Sequence, residues 1–148
     1  MLVFDSRSSK EEPSYDAICC AQLFLLLMEK IRQKHKANAS QALAFKLSIH
    51  SGDVFETNAD SNHELQTSFH MGKTIETSYF LCKQSQPGEL IISETTYSQA
   101  GGQQRLVAKE SREITMPTDN MSFMSYILTA DMASSSEILN QQSQQILS

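Results

Sequence analysis

Apolar and polar positions alternate along this chain in two different periods, and the changes of period mark out the elements. Met1 to Phe4 is a short apolar run that reads as a buried strand, and the polar stretch Asp5 to Pro13 reads as a loop. From Ser14, an N-cap candidate, apolar side chains fall at Ala17, Ala21, Phe24, Leu25, Met28 and Ile31. That is the spacing of an amphipathic helix, and it predicts one lasting to about Lys36 with its Glu29–Lys36 end facing water. Around Ala44 to Ser48, Phe45, Leu47 and Ile49 share one face and Lys46, Ser48 and His50 the other, a half-buried strand that breaks at Ser51-Gly52. The polar stretch Asn58 to Glu64 predicts a hairpin turn.

A second helical period begins after Gly72, with Ile75, Tyr79 and Cys82 in phase, and Pro87-Gly88 stops it near Gln86. Leu90 to Ile92 is short and apolar and predicts a strand, after which Ser93 or Glu94 starts a brief helical turn through Tyr97. Leu106 to Met116 and Phe123 to Thr129 alternate as strands and predict a closing hairpin around Pro117-Thr-Asp-Asn120. The order β, α, β, β, α, β, β, β suits an α+β fold, an antiparallel or mixed sheet with helices on one face. From Ala133 onward Ser and Gln dominate, so residues 1–132 are read as the folded part and residues 133–148 as a polar tail.

Composition narrows the functional classes. A chain of 148 residues, 40% hydrophobic, is long enough for one core and short for two. Seventeen acidic against 12 basic residues give a formal charge of -5 with no basic block, which argues against a nucleic-acid partner. The three cysteines, Cys19, Cys20 and Cys82, are odd in number and include an adjacent pair, a pattern that favours reduced thiols and a cytoplasmic setting. Scattered histidines without a C-x-x-C pair argue against zinc, and no apolar run approaches the ~20 residues of a bilayer span. No membrane contact is expected of this segment.

Three segments carry a resemblance. Leu47-Ser-Ile-His-Ser-Gly-Asp-Val54, Phe69-His-Met-Gly-Lys-Thr-Ile-Glu-Thr-Ser-Tyr-Phe-Leu81 and Pro87-Gly-Glu-Leu-Ile-Ile-Ser-Glu-Thr-Thr-Tyr97 occur in this order. They resemble the second half of the class III nucleotidyl cyclase catalytic domain, the adenylate and guanylate cyclase family, with its patterns G-I-H-x-G-x-V, G-x-x-V-N-x-A-x-R-L and P-G-E-I-x-I-S-x-x-T-Y. Met1-Leu-Val-Phe4 and Asp16-Ala-Ile-Cys-Cys-Ala21 are similar to the strand and helix that precede them. The resemblance spans about residues 1 to 130 and implies a ferredoxin-like α+β core, the later two thirds of that domain, with its N-terminal part missing. It also implies intracellular signalling, within the cytoplasm or the cytoplasmic part of a larger membrane or sensor protein.

The resemblance implies chemistry that this sequence does not carry. Family members hold two divalent ions, Mg or Mn, on two aspartates in the first strand and a later G-D turn, and these ions bind the triphosphate of ATP or GTP. Asp5 follows the strand rather than preceding it, so it is not expected as a ligand, and no metal or cofactor is expected for this chain alone. The family helix supplies an Asn that orients the ribose and, four residues on, an Arg that meets phosphate charge developing in the transition state. Counted from Gly72, those positions are Glu76 and Phe80, and the base-reading position is Phe69. A carboxylate repels a triphosphate and a phenyl ring donates no hydrogen bond; loss of one such donor costs roughly 3 kcal/mol or more in the barrier.

Other residues have plainer readings beside the chemical ones. Lys73 is a phosphate candidate, with a solvated surface lysine, or one paired with Glu76 a turn away, as the alternative. His50 is expected to satisfy a local backbone group and Asp53 to cap a turn. Cys19 and Cys20 read as core filler and surface thiol. The resemblance implies a homodimer or a heterodimer with another cyclase-like domain, through a surface that Phe69, Met71, Tyr79 and Phe80 would thicken. Two functions then compete: a pseudo-cyclase acting as a regulatory or dimerisation module, and the metal-bearing half of an active cyclase whose upstream sequence and partner complete the site.

Overall fold

The computed structural model describes residues 12–34, 45–59 and 67–128, with the backbone alone for 57–59 and 67–69. The expected strand Met1–Phe4, Asp5, the centre of the expected 58–64 turn and the polar tail lie outside the described residues.

Helix α1 runs from Pro13 to Lys34. It opens one residue before the expected N-cap: proline fits the first helical position, where its missing N–H costs nothing, and the Asp16 N–H donates to the Glu12 carbonyl at 3.0 Å. Ser14 therefore sits inside the first turn rather than capping it. Ala17, Ile18, Gln22 and Leu25 are buried, while Arg32 and Lys34 at the far end are exposed, with Arg32 paired to Glu29 at 2.7 Å.

Strand β1, Leu47–Ile49, is followed by an antiparallel ribbon of β2, Phe55–Ala59, and β3, Thr67–Met71. Helix α2, Lys73–Gln84, comes next, then β4, Leu90–Ser93, and the short helix α3, Glu94–Gln99. The hairpin of β5, Ala108–Thr115, and β6, Ser122–Leu128, closes the described chain. Its turn is the expected Pro117–Asn120: Asn120 adopts φ 54°, a conformation that asparagine tolerates, and the Met116 N–H reaches the Met121 carbonyl at 2.9 Å.

Four strands form a mixed sheet in the order β1-β4-β6-β5, with β1 parallel to β4 and the other pairs antiparallel. Every residue of β4 is buried. Successive strand residues point to opposite faces, so both faces of β4 must be covered. Leu90 and Ile92 pack with Ile18 and Leu25 of α1, Tyr97 and Ala100 at α3, and Leu128. Ile91 packs with Leu81 of α2, Ile114 and Ile127. The mixed α+β architecture is thus as expected, but the helices do not share one face: α1 and α3 cover one side and α2 the other. The all-apolar Leu90-Ile-Ile92 run carries the reason, because it has no polar residue to turn toward water.

Tyr97 stacks on Tyr126 with ring centroids 3.9 Å apart, which fixes α3 against β6. Phe24 meets Phe45 edge-on at 5.1 Å and ties α1 to the residues entering β1.

Candidate functional site

The start of α2 collects the positions singled out by the sequence. Gly72 precedes the helix at φ 133°, a conformation that side chains rarely adopt, and a Cβ there would meet the Phe55 ring at 3.6 Å. The helix has no side-chain cap at this end. Its position is set instead by Thr74, whose hydroxyl donates to the Asp53 carbonyl at 2.7 Å. That contact needs Gly52, because a Cβ on residue 52 would lie 2.5 Å from the Thr74 hydroxyl oxygen. Ser48 adds a second tie, its hydroxyl donating to the Ser78 carbonyl at 2.7 Å. The Ser-Gly-Asp turn after β1 is thus a seat for α2.

Lys73, the first residue of α2, forms an ion pair with Asp119 in the β5–β6 turn, and its ammonium also reaches the Met121 sulfur at 3.4 Å. The partner is Asp119 rather than Glu76, one of the alternatives that the sequence left open. Side chains on a helix lean toward its N-terminus, so Lys73 is carried away from Glu76, which lies a turn later, and toward the hairpin. The ammonium holds the Asp119 carboxyl below its usual range, and the Met121 N–H, donating at 3.1 Å, adds to the effect. Nothing in the sequence links positions 73 and 119, which meet only because the hairpin tip reaches α2.

Glu76 is exposed one turn into α2. Phe80, one turn further, is half-buried and packs with Phe123 against the cluster of Leu81, Ile91, Ile114 and Ile127. A side chain read as surface thickening is therefore partly a core residue. Tyr79, by contrast, is 65% exposed, with the Lys83 ammonium 4.5 Å above its ring. Phe69 lies in β3 opposite Thr57, with only its backbone described. Across the same ribbon Phe55 and Met71 are direct partners, which puts both side chains on one face, and they are 72% and 56% exposed.

His50 differs from expectation in its partner. Its Nδ1 lies 2.8 Å from the hydroxyl of Ser93, a side chain rather than a backbone group, and burial holds the imidazole below its usual range. Asp53 takes part through its carbonyl, as the acceptor of Thr74. Cys19 is half-buried, and that burial pushes its thiol up, while Cys20 is exposed; both are free thiols, as is Cys82. Among the described residues no three His, Cys, Asp or Glu side chains gather to hold a metal ion. No helix among these residues is long and apolar enough to cross a membrane.

No family profile and no curated relative matches the sequence. Among solved structures, the crystal structure of the guanylyl cyclase Cya2 matches with a TM-score of 0.73 at 19% identity, over 84% of this chain and 62% of that one. The catalytic core of a rhodopsin-guanylyl cyclase with converted specificity, in complex with ATPαS, matches at a TM-score of 0.40 and 18% identity, over 53% of this chain and 40% of that one. This chain thus spans about 62% of the Cya2 chain's length. It has the mixed α+β fold of a class III nucleotidyl cyclase domain.

Proposed function

We propose that this chain is a cyclase-like signalling domain that associates with a second such domain and does not turn over a nucleoside triphosphate by itself. The observation that carries the reading is the α2 face on which an active site of this fold would draw. At the two positions where the resemblance puts a ribose-orienting amide and a phosphate-binding guanidinium, the chain has the exposed carboxylate of Glu76 and the ring of Phe80, half-buried on the core. A triphosphate approaching these two positions meets a negative charge and no donor. Lys73, the cation at the start of the helix, is already engaged by Asp119.

The association half of the reading is supported by the exposed apolar pair Phe55 and Met71 on the β2–β3 ribbon, and by Met121, 57% exposed, where the hairpin tip meets α2. Exposed apolar side chains grouped in this way mark contact surfaces more often than chance exposure does. A second copy of the chain is the partner tested first. Sedimentation velocity across a concentration series should show the wild-type chain self-associating, and Phe55→Glu combined with Met71→Glu should hold it monomeric with unchanged circular dichroism. A wild-type chain that stays monomeric at every concentration would contradict pairing with its own copy.

A further inference from the structure

The parallel strands β1 and β4 end side by side, and a chain of polar side chains crosses their ends. His50 Nδ1 lies 2.8 Å from Ser93 Oγ, and Ser93 Oγ lies 3.0 Å from Thr96 Oγ1. Thr96 Oγ1 accepts from the Ser51 hydroxyl at 3.1 Å, and Ser51 Oγ is 3.0 Å from that of Ser14, which donates to Gln99 Oε1 at 2.9 Å. Ser93 and Thr96 are fully buried, whereas His50 is half-buried and within reach of solvent. The same Ser93 oxygen caps α3 by accepting the Thr96 N–H at 3.3 Å. One oxygen therefore serves both a titratable ring and a helix terminus.

We propose that His50 and Ser93 form a proton-responsive joint, in which charging the imidazole reverses the hydroxyl chain and alters the capping of α3. With His50 neutral and Nδ1 unprotonated, the Ser93 hydroxyl donates to Nδ1 and its oxygen is left to the Thr96 N–H and hydroxyl. A proton taken from solvent puts an N–H on both ring nitrogens. Nδ1–H then donates to Ser93 Oγ, the Ser93 hydroxyl turns to Thr96 Oγ1, and the Thr96 hydroxyl turns to the Ile49 carbonyl, 3.4 Å away. The cap oxygen then shares its lone pairs between the Thr96 N–H and an imidazolium, a charged donor in place of the Thr96 hydroxyl.

The charged and titratable residues of the adjoining elements include Tyr15, Asp16 and Cys19 on α1, Asp53 beyond β1, Lys73, Glu76 and Lys83 on α2, Glu94 and Tyr97 on α3, and Tyr126 on β6; β4 has none. None of them shifts His50, which burial alone pushes down. Among the described residues the charged ring would thus be received by the Ser93 hydroxyl and not by a carboxylate, so its arrival must be absorbed by rearranging the hydroxyl chain.

The test is nuclear magnetic resonance of the full chain from about pH 8 to about pH 5, following the His50 ring and the Thr96 backbone amide. The joint predicts a His50 midpoint below the ordinary value of about 6.5 and a Thr96 amide that moves with that same midpoint. In His50→Gln the Thr96 amide should be flat over this range. In Ser93→Ala the His50 ring should still titrate while Thr96 no longer follows it. A wild-type Thr96 amide that ignores the His50 midpoint, or one that titrates unchanged in either variant, would overturn the proposal; the wild-type and His50→Gln spectra decide it even if Ser93→Ala does not fold.

Discussion

At the residue scale, two small features hold the parts of this domain together. Gly52 allows Thr74 to reach the Asp53 carbonyl, and a Cβ placed 2.5 Å from the Thr74 hydroxyl must displace it. Gly52→Ala should cost about 1–3 kcal/mol in chemical denaturation, as overpacking does. Combined with Thr74→Ala, which removes the clashing oxygen, it should cost clearly less than the two single changes added together. His50 is the second feature. Burial lowers its folded-state midpoint below the unfolded value of about 6.5, so below that pH the unfolded chain binds the proton more readily. Its share of stability is therefore complete above about pH 6.5 and is lost as pH falls through the folded-state value. The denaturation midpoint of the wild type should fall more between pH 7.5 and 5 than that of His50→Gln, by about the amount that the depressed midpoint dictates. Neither the Thr74 contact nor the Ser93 partner was legible in the sequence. Both join residues 21 or 43 positions apart, and hydroxyls satisfy so many partners that pattern alone names none of them.

At the scale of elements, the hydrophobic period was a dependable guide wherever a segment was long and one-sided. The helix after Gly72, the brief helix after Ser93 and the turn at Pro117–Asn120 lie where spacing and turn chemistry put them, within a residue or two at the ends. The Ser14 cap was misread because Pro13 competes for the same turn and wins by its fixed φ. What periodicity could not supply was the side of the sheet on which each helix lies. That follows from the continuous Leu90-Ile-Ile92 run, whose two faces need two separate covers. Leu81 is the fully buried anchor of the α2 cover, and Leu81→Ala should cost about 2–5 kcal/mol, measured by thermal or urea unfolding. The same cover explains Phe80: a residue one position before Leu81 on the same helix lies at the edge of its cluster, where a ring adds to the core and a guanidinium would not.

At the scale of the molecule, the fold belongs with nucleotidyl cyclase domains, while α2 carries Glu76 and Phe80 at the two positions where the resemblance implies an Asn and an Arg. The motif order made the fold legible, because glycines, turns and buried strand residues are the part of a family pattern that packing demands. The candidate site was legible only as a set of departures from that pattern. Its actual furniture, the Lys73–Asp119 pair and the Phe55–Met71 ribbon face, emerges from tertiary placement. The measurement that bears most directly on the account is cyclic nucleotide formation from ATP and from GTP with manganese by the unmodified chain, run beside the double substitution Glu76→Asn with Phe80→Arg. The account predicts no product from the unmodified chain above the protein-free rate, with either nucleotide. Cyclic AMP or cyclic GMP formed by the unmodified chain would contradict it.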